Sequence, residues 1–209
     1  MHNKIIVAGI GPGGEDFITP AALKKIRAAK FLVGGRRALC DFANDEQITC
    51  AITRDLDTSI NFIREKLSLD DVVVMVSGDP GYYSLLDLLR KNFSPAMIEV
   101  IPSVSAIQLA FAKVALPWHH ATLLSFHGRQ PAREDLQFSA GKILGLLTDA
   151  EYNSATISKL LIDCGWPVDS VVTVCARLSY PDEKIFSATL EATSKAEPVG
   201  HCVLIVRNN

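Results

Sequence analysis

Short apolar runs that alternate with helical segments constrain the fold of this chain more than any other feature. In the first half, four runs at residues 5–10, 31–33, 71–76 and 98–101 are rich in Val and Ile and end at Gly, Pro or Ser. Such runs are typical of the buried strands of a parallel sheet. We therefore predict a doubly wound α/β domain.

Helix signals lie between the predicted strands. Thr19 and Pro20 form the N-cap and the first residue of one predicted helix. Asp57 is predicted to cap another helix, whose apolar face carries Ile60 and Ile63. These helices would cover the faces of the sheet.

A second, smaller α/β domain is predicted beyond Pro117, which cannot continue the helix that begins near Val104. The segment 114–120 is then a linker, and the domains span residues 1–115 and 116–209. The second domain has strand candidates at 121–125, 142–147, 171–176 and 201–206 and a helix at 154–161. We expect ligands to bind at the carboxyl ends of the strands and in the cleft between the domains.

Composition argues against several classes of partner. A formal net charge of -2 gives no overall basic field, so nucleic acid or an anionic membrane is not expected as the main partner. The apolar stretches are much shorter than the roughly 20 residues that span a bilayer, and the N-terminus has no cleavage-site pattern, which predicts a cytoplasmic protein. The 5 cysteines lack metal-ligand spacing, so we interpret them as small buried hydrophobes and expect no metal site.

A glycine cluster after the first strand matches the dinucleotide-binding pattern G-x-G-x-x-G through Gly9, Gly11 and Gly14. In that motif the helix starts within the glycines, and an acidic residue about 20 positions later binds the ribose. Here the helix signal comes only at Thr19, and the second strand leads into Gly-Gly-Arg-Arg without a carboxylate. The cluster therefore indicates a tight turn at a strand end.

Arg36 and Arg37 keep one alternative open, since two arginines could bind the 2′-phosphate of NADP. The simpler interpretation of the same pair is a solvated helix start. A non-catalytic α/β binding module is a further hypothesis, because the alternation of strands and helices does not itself imply turnover.

Two later loops occupy positions equivalent to the glycine cluster. Residues 77–84, SGDPGYYS, and residues 102–106, PSVSA, each follow a strand and precede a helical segment. Alone, each is an ordinary turn sequence. Together, three loops rich in Gly, Pro and Ser on one sheet edge would supply many backbone N–H and C=O groups around one crevice.

The three loops resemble the tetrapyrrole methylase family, whose members transfer a methyl group from S-adenosylmethionine to carbon atoms of corrin and porphyrin precursors. The likeness rests on GIGPGGEDFIT before a helix that begins with Pro, then SGDPGYYS, then PSVSA where the commoner family form is PGxSS. Segments at 116–129, 146–149 and 176–192 resemble the branch called CbiE, the cobalt-precorrin-7 C5-methyltransferases of cobalamin synthesis. The likeness covers nearly the whole chain.

The resemblance implies that backbone groups, and not a Rossmann-type turn, bind the methyl donor in the cleft between the domains. It implies donor contacts for Gly78, Asp79, Tyr82, Ser105, Ala106, Leu147, Thr148, Ala176 and His201. Asp79 is further expected to fix its own turn and to favour the positively charged donor over the neutral product.

Substrate binding is expected from two sources. The resemblance places Gly11, Pro12 and Gly13 near the tetrapyrrole. Because a protein of net charge -2 needs local basic groups to bind several carboxylates, we also expect a basic rim. Its members would be Arg36, Arg37, His127 and Arg129. The candidates for a base that removes a proton are His127 and Tyr82, with ordinary packing as the alternative for each.

The resemblance also implies a homodimer. Because the chain has no room for a fused C15-methyltransferase domain, a separate decarboxylating C15-methyltransferase is expected as its pathway partner. Another tetrapyrrole methylase of the same fold, or an NADP-linked precorrin reductase, is the alternative.

Overall fold

The computed structural model describes residues 3–208, except for the side chain of Glu15. The chain divides into two compact units, Met1–Ser105 and Ala106–Asn209. The first unit contains a five-stranded parallel sheet. Its strands are β1 (Ile5–Gly9), β2 (Phe31–Gly34), β3 (Ile48–Ala51), β4 (Val72–Val76) and β5 (Ile98–Ile101). They lie in the order β3-β2-β4-β1-β5.

Helices cover both faces of this sheet, which confirms the predicted α/β architecture. They are α1 (Pro20–Ala28), α2 (Arg36–Phe42), α3 (Leu56–Lys66) and α4 (Leu86–Asn92). Successive residues of a strand point to opposite faces, so Val7 packs with the α3 and α4 side chains and Ala8 with those of α1 and α2. The strand β3 was not predicted, because its edge position leaves its side chains exposed or half-buried and removes the apolar signal.

The caps of α1 and α3 show one confirmed prediction and one error. The Thr19 hydroxyl accepts a hydrogen bond from the Ala22 N–H at 3.2 Å, and Pro20 is the first helical residue, as predicted. The predicted cap Asp57 is wrong, because it lies inside the first turn of α3. Asp55 caps this helix and accepts hydrogen bonds from the backbone N–H groups of Asp57 and Thr58.

The second unit contains a five-stranded mixed sheet in the order β6-β7-β10-β8-β9. The strands are β6 (Thr122–Ser125), β7 (Ile143–Leu147), β8 (Val171–Ala176), β9 (Lys184–Thr189) and β10 (Cys202–Arg207). Only β6 and β7 are parallel neighbours. The helices are α5 (Ala106–Lys113), α6 (Arg133–Leu136), α7 (Ser154–Asp163) and α8 (Leu190–Lys195). The exposed edge strand β9 was missed for the same reason as β3.

The core of the second unit lies between its sheet and the helices on each face. Leu161 of α7 and Trp166 pack with alternate strand residues on one face, and the Trp166 Nε1–H donates to the Leu136 carbonyl at 2.8 Å. Helix α5 contacts β7 and β10, and the Phe111 ring lies so close to Gly145 that a Cβ there would be 2.8 Å from it. Because α5 packs on this sheet, the unit begins at Ala106, earlier than the boundary predicted at residue 115. The two units are of near-equal length.

The cysteines are only partly as expected. Cys164, Cys175 and Cys202 are buried, whereas Cys40 is exposed on α2 and Cys50 is half-buried on β3. Burial of the Cys175 thiol raises its pKa to about 12. Among residues 3–208, no helix is both long and apolar enough to cross a bilayer.

Candidate functional site

Three loops of the first unit meet at one edge of its sheet, because they follow the neighbouring strands β4, β1 and β5. The first two are joined by a hydrogen bond from the Gly78 N–H to the Gly11 carbonyl at 2.7 Å. The Ser103 hydroxyl of the third loop donates to the Phe17 carbonyl at 3.0 Å. The loops that were singled out in the sequence therefore form one connected structure.

Gly9 and Gly11 are required by the close approach of these loops. A Cβ on Gly9 would lie 2.7 Å from the Ser103 Cβ, 2.8 Å from the Gly78 carbonyl oxygen and 2.8 Å from the Pro80 Cδ. Gly11 has φ of 73°, in the left-handed region that favours glycine. A 3-10 turn follows, and α1 begins only at Pro20. The glycines thus serve loop packing and do not open a helix as in a dinucleotide turn.

Asp79 links two of the three loops through its carboxylate. One oxygen accepts a hydrogen bond from the Gly81 N–H at 2.8 Å, and the other accepts one from the Ser103 N–H at 3.0 Å. The first bond fixes the turn as the sequence analysis expected. The second, which holds the loop after β5 against the loop after β4, was not expected.

Tyr82 carries a buried polar atom that the protein leaves without a partner. Within residues 3–208, its hydroxyl oxygen is inaccessible to solvent and has no hydrogen-bond partner. Burial, together with the neighbouring Tyr83, raises the pKa of Tyr82 above its ordinary value, so the hydroxyl stays protonated. The two rings make an edge contact with centroids 4.7 Å apart, and Tyr83 has a left-handed φ of 49°. Tyr82 is therefore suited to donate a hydrogen bond to a ligand, not to act as a base.

The remaining predicted residues of the first unit lie at the same sheet edge. Arg36 and Arg37 are the exposed first two residues of α2, which follows β2, the neighbour of β4. Pro12 and Gly13 are half-buried, and Ser105 is buried at the end of the unit. No described contact decides between the two interpretations of the arginine pair.

The equivalent edge of the second sheet brings together side chains from three loops. His127 follows β6, Asp149 follows β7, and His201 precedes the antiparallel strand β10. The two imidazole rings have centroids 6.2 Å apart. His201 has a left-handed φ of 51°. Arg129 is exposed in the same turn as His127.

Asp149 holds this arrangement through backbone N–H groups. One oxygen accepts from Tyr152 at 2.7 Å and Glu151 at 2.9 Å, and the other accepts from Gly128 at 3.1 Å. Burial, the largest single influence, acts to raise the pKa of Asp149. The three N–H groups and the charge of His127 outweigh it and lower the pKa below its ordinary value. Asp149 therefore stays negative beside His127 at neutral pH.

Thr148 and Ala176 lie below this edge. The Thr148 hydroxyl donates to the Cys202 carbonyl at 2.9 Å and accepts from the Cys202 N–H at 2.8 Å, so its side chain is used within the protein. Ala176 is buried opposite Cys202, and Leu147 is half-buried at the end of β7.

Comparison with known proteins now identifies the fold. A family model described as Tetrapyrrole (Corrin/Porphyrin) Methylases matches residues 4–193. The chain belongs to the tetrapyrrole methylase family. A relative from Methanocaldococcus jannaschii, named probable cobalt-precorrin-7 C(5)-methyltransferase, is 29% identical over an alignment of 202 residues that covers 92% of each chain.

Solved structures show the same tetrapyrrole methylase fold. The crystal structure of a cobalamin biosynthesis precorrin-6Y methylase from Archaeoglobus fulgidus covers 100% of both chains with a TM-score of 0.75 and 22% identity. The uroporphyrin-III C-methyltransferase of Thermus thermophilus, complexed with S-adenosylhomocysteine, matches 98% of this chain and 92% of its own with a TM-score of 0.74 and 20% identity.

Asp149 was not singled out as a site residue from the sequence of this tetrapyrrole methylase. A short carboxylate after a strand is a visible signal, but its hydrogen bonds to Gly128 and its nearness to His127 depend on the pairing of β6 with β7. The loop between β8 and β9 lies in the segment 176–192 that carries the resemblance, but its contacts were not predicted. There Arg177 binds Asp182 at 3.0 Å and lies 4.4 Å from the centroid of the Tyr180 ring.

Proposed function

We propose that this tetrapyrrole methylase transfers a methyl group from S-adenosylmethionine to C5 of a precorrin or cobalt-precorrin in cobalamin biosynthesis. The likeness to the Methanocaldococcus jannaschii protein, over 92% of both chains, carries the choice of reaction. The donor class is supported by the family and by the S-adenosylhomocysteine complex of the Thermus thermophilus neighbour.

The first unit offers two features that fit such a donor. The buried Tyr82 hydroxyl has no hydrogen-bond partner among the described residues 3–208 and is available to donate a hydrogen bond to a polar group of the ligand. The glycines allow the backbone of the loops to approach closely, so N–H and C=O groups can contact a ligand without interference from side chains. The proposed donor contacts are Gly78, Asp79, Tyr82, Ser105, Ala106, Leu147, Thr148, Ala176 and His201.

Thr148 and Asp79 would contribute to donor binding differently from Tyr82. The Thr148 hydroxyl and both Asp79 oxygens already bind the protein backbone. Thr148 would therefore meet the donor through main-chain atoms, while Asp79 positions the loops and adds a negative charge near a cationic ligand.

The chemistry of the chain's own groups follows from these positions. When bound, the donor supplies an electrophilic sulfonium methyl group. The loops orient the two reactants, and alignment alone can contribute roughly 7–11 kcal/mol to lowering the barrier. His127 is the proposed base, accepting a proton on an imidazole nitrogen, because the raised pKa of Tyr82 keeps that hydroxyl protonated.

Substrate binding is proposed to use basic groups near both sheet edges. Arg36 and Arg37 begin α2, and His127 and Arg129 follow β6; all four are exposed. Arginine binds carboxylates in a two-pronged geometry, which suits the acetate and propionate groups of a precorrin. Gly11, Pro12 and Gly13 are proposed to lie near the macrocycle. We also propose a homodimer and a separate decarboxylating C15-methyltransferase as the pathway partner.

Calorimetric titration tests the proposed donor site. S-adenosylhomocysteine should bind the wild-type protein and NADP should not, whereas NADP binding alone would favour the reductase alternative. Tyr82→Phe should weaken S-adenosylhomocysteine binding by about tenfold, since it removes one buried hydrogen bond. Its free energy of unfolding should not fall, because the lost hydroxyl bonds to none of the residues that the structure describes.

Tyr83→Phe is the matched control, since that residue is 38% exposed and adjacent in the sequence. Equal donor affinity in wild type and Tyr82→Phe would remove Tyr82 from the site. Methylation of isolated cobalt-precorrin-7, with the new methyl group located by NMR, tests the choice of C5.

A further inference from the structure

We propose that His127 and His201 together bind one ligand carboxylate, and that Asp149 positions His127 for this contact. The inference rests on the proposed function, because it concerns a ligand of the same site. It extends that function by giving His201 a side-chain role and by adding Asp149. The pair is called the imidazole clamp below.

The geometry of the imidazole clamp suits a carboxylate. Both rings belong to exposed residues, and their centroids are 6.2 Å apart and tilted by 60°. At this separation the two imidazoles are close enough for one carboxylate to contact both, with one oxygen for each imidazole. Hydrogen bonds between charged partners of this kind are short and about twice as strong as neutral ones.

The backbone around His201 holds its side chain in the position that the clamp requires. His201 has φ of 51°, a conformation that is costly for a residue with a side chain and that concentrates at functional sites. The preceding Gly200 packs so closely that a Cβ on it would lie 2.8 Å from the Asp149 carbonyl oxygen. The N–H group of the following Cys202 donates a hydrogen bond to the Thr148 hydroxyl. His201 is thus fixed on both sides against the loop that carries Asp149.

Asp149 positions His127 and places a negative charge near its imidazole. Its carboxylate accepts the N–H of Gly128, the residue after His127, and its negative charge interacts with the imidazole of His127. These two interactions hold the turn that carries His127 beside Asp149. The other charged groups of these loops are Arg129 and Glu151, both exposed.

The carboxylate could come from either ligand of the proposed reaction. The amino-acid part of the methyl donor has one, and a precorrin has several on its acetate and propionate groups. Both sources share the same chemistry. The experiment therefore uses a probe for each.

Calorimetry at pH 6 and pH 8 tests the clamp with three probes. S-adenosylhomocysteine carries the amino-acid carboxylate, 5′-methylthioadenosine lacks it, and uroporphyrin III presents carboxylates on a tetrapyrrole. The double variant His127→Gln, His201→Gln should bind one carboxylate-bearing probe at least about tenfold more weakly than wild type at pH 6. The difference should shrink at pH 8, because a neutral imidazole binds a carboxylate less strongly than a cationic one does.

The probes and controls separate the possible outcomes. A selective loss for S-adenosylhomocysteine assigns the clamp to the donor, and a selective loss for uroporphyrin III assigns it to the substrate. Binding of 5′-methylthioadenosine should be unchanged. The control variant His119→Gln, His120→Gln removes an exposed histidine pair, with rings 4.0 Å apart in the segment before β6, and should bind all probes as wild type does.

Asp149→Asn tests the positioning role. It should weaken binding of the same carboxylate-bearing probe and leave binding of 5′-methylthioadenosine unchanged, which a merely structural role would not do. If the double variant binds every probe as wild type does, the clamp is wrong while the proposed function stands. If wild type binds neither S-adenosylhomocysteine nor uroporphyrin III, the proposed function itself fails.

Discussion

The two sheets of this methylase end in edges of different chemical character. In the first unit, peptide groups take part in every described bond between the loops after β4, β1 and β5: Gly78 binds Gly11, and the Asp79 and Ser103 side chains bind backbone groups. In the second unit, the loops present the side chains of His127, Asp149 and His201. One edge is therefore a scaffold of peptide groups, and the other is a cluster of ionisable groups.

Strand direction explains the difference. In a parallel sheet every strand ends at the same edge, so this edge receives only loops that leave strands. In the mixed sheet of the second unit, β6 and β7 end where β10 begins. A residue that precedes a strand, such as His201, can therefore lie beside one that follows a strand, such as His127. The mixed sheet combines groups that a parallel sheet keeps at opposite edges.

The largest loss of stability should come from a side chain added where the first-unit loops pack together. We expect Gly9→Ala to lower the free energy of unfolding by about 3 kcal/mol, because its Cβ would meet the Gly78 carbonyl oxygen at 2.8 Å and the Pro80 ring at 2.8 Å. Backbone atoms cannot move aside as the end of a flexible side chain can. Chemical denaturation measures the loss, and calorimetry with S-adenosylhomocysteine should show weaker binding in the folded variant.

Gly35→Ala is the matched control for this prediction. A Cβ on Gly35 has no neighbour within 4 Å, and its φ of -59° suits any residue. Its cost should be about 0.5 kcal/mol or less. Equal costs at the two glycines would show that close loop packing does not define the first edge.

A smaller loss of stability is expected when the Asp79 carboxylate, which links two loops of the first unit, is removed. Asp79→Ala removes the acceptor of the Gly81 and Ser103 N–H groups, and we expect it to lower the free energy of unfolding by about 1–2 kcal/mol. S-adenosylhomocysteine should also bind more weakly, because the loop after β5 loses its anchor. Asp45→Ala changes an exposed carboxylate in the same unit and should alter neither quantity. A folded Asp79→Ala protein with wild-type affinity would restrict the carboxylate to a purely local role.

The sequence was most informative where a feature depends on neighbours along the chain. The buried strand β8 and the apolar run of β5 were predicted with their observed bounds, and Thr19 was predicted as a cap, because apolar runs and capping residues are local signals. The edge strands β3 and β9 lack buried side chains and were missed.

Contacts between distant segments could not be predicted in the same way. The bond from Ser103 to Asp79 and the nearness of His127 to His201 arise only when the strands pair in their observed order. The sequence marked most of these residues as candidates but could not show which of them meet. Asp149 went unmarked because its role is to hold other loops.

The smallest expected effect concerns the pH dependence of the second edge. The pKa of Asp149 is lowered in the folded state, so its charged form stabilises the fold above its ordinary pKa of 3.8, and this contribution is lost as pH falls through the lowered value. Asp149→Asn should therefore reduce the melting temperature by about 2 °C at pH 7 and by progressively less below pH 4. Melting curves between pH 7 and pH 2.5 measure this convergence, with Asp169→Asn, an exposed carboxylate of the same unit, as the control. A constant difference across that range would mean that the three N–H bonds do not depend on the charge of Asp149. The second edge would then be held, like the first, by geometry alone.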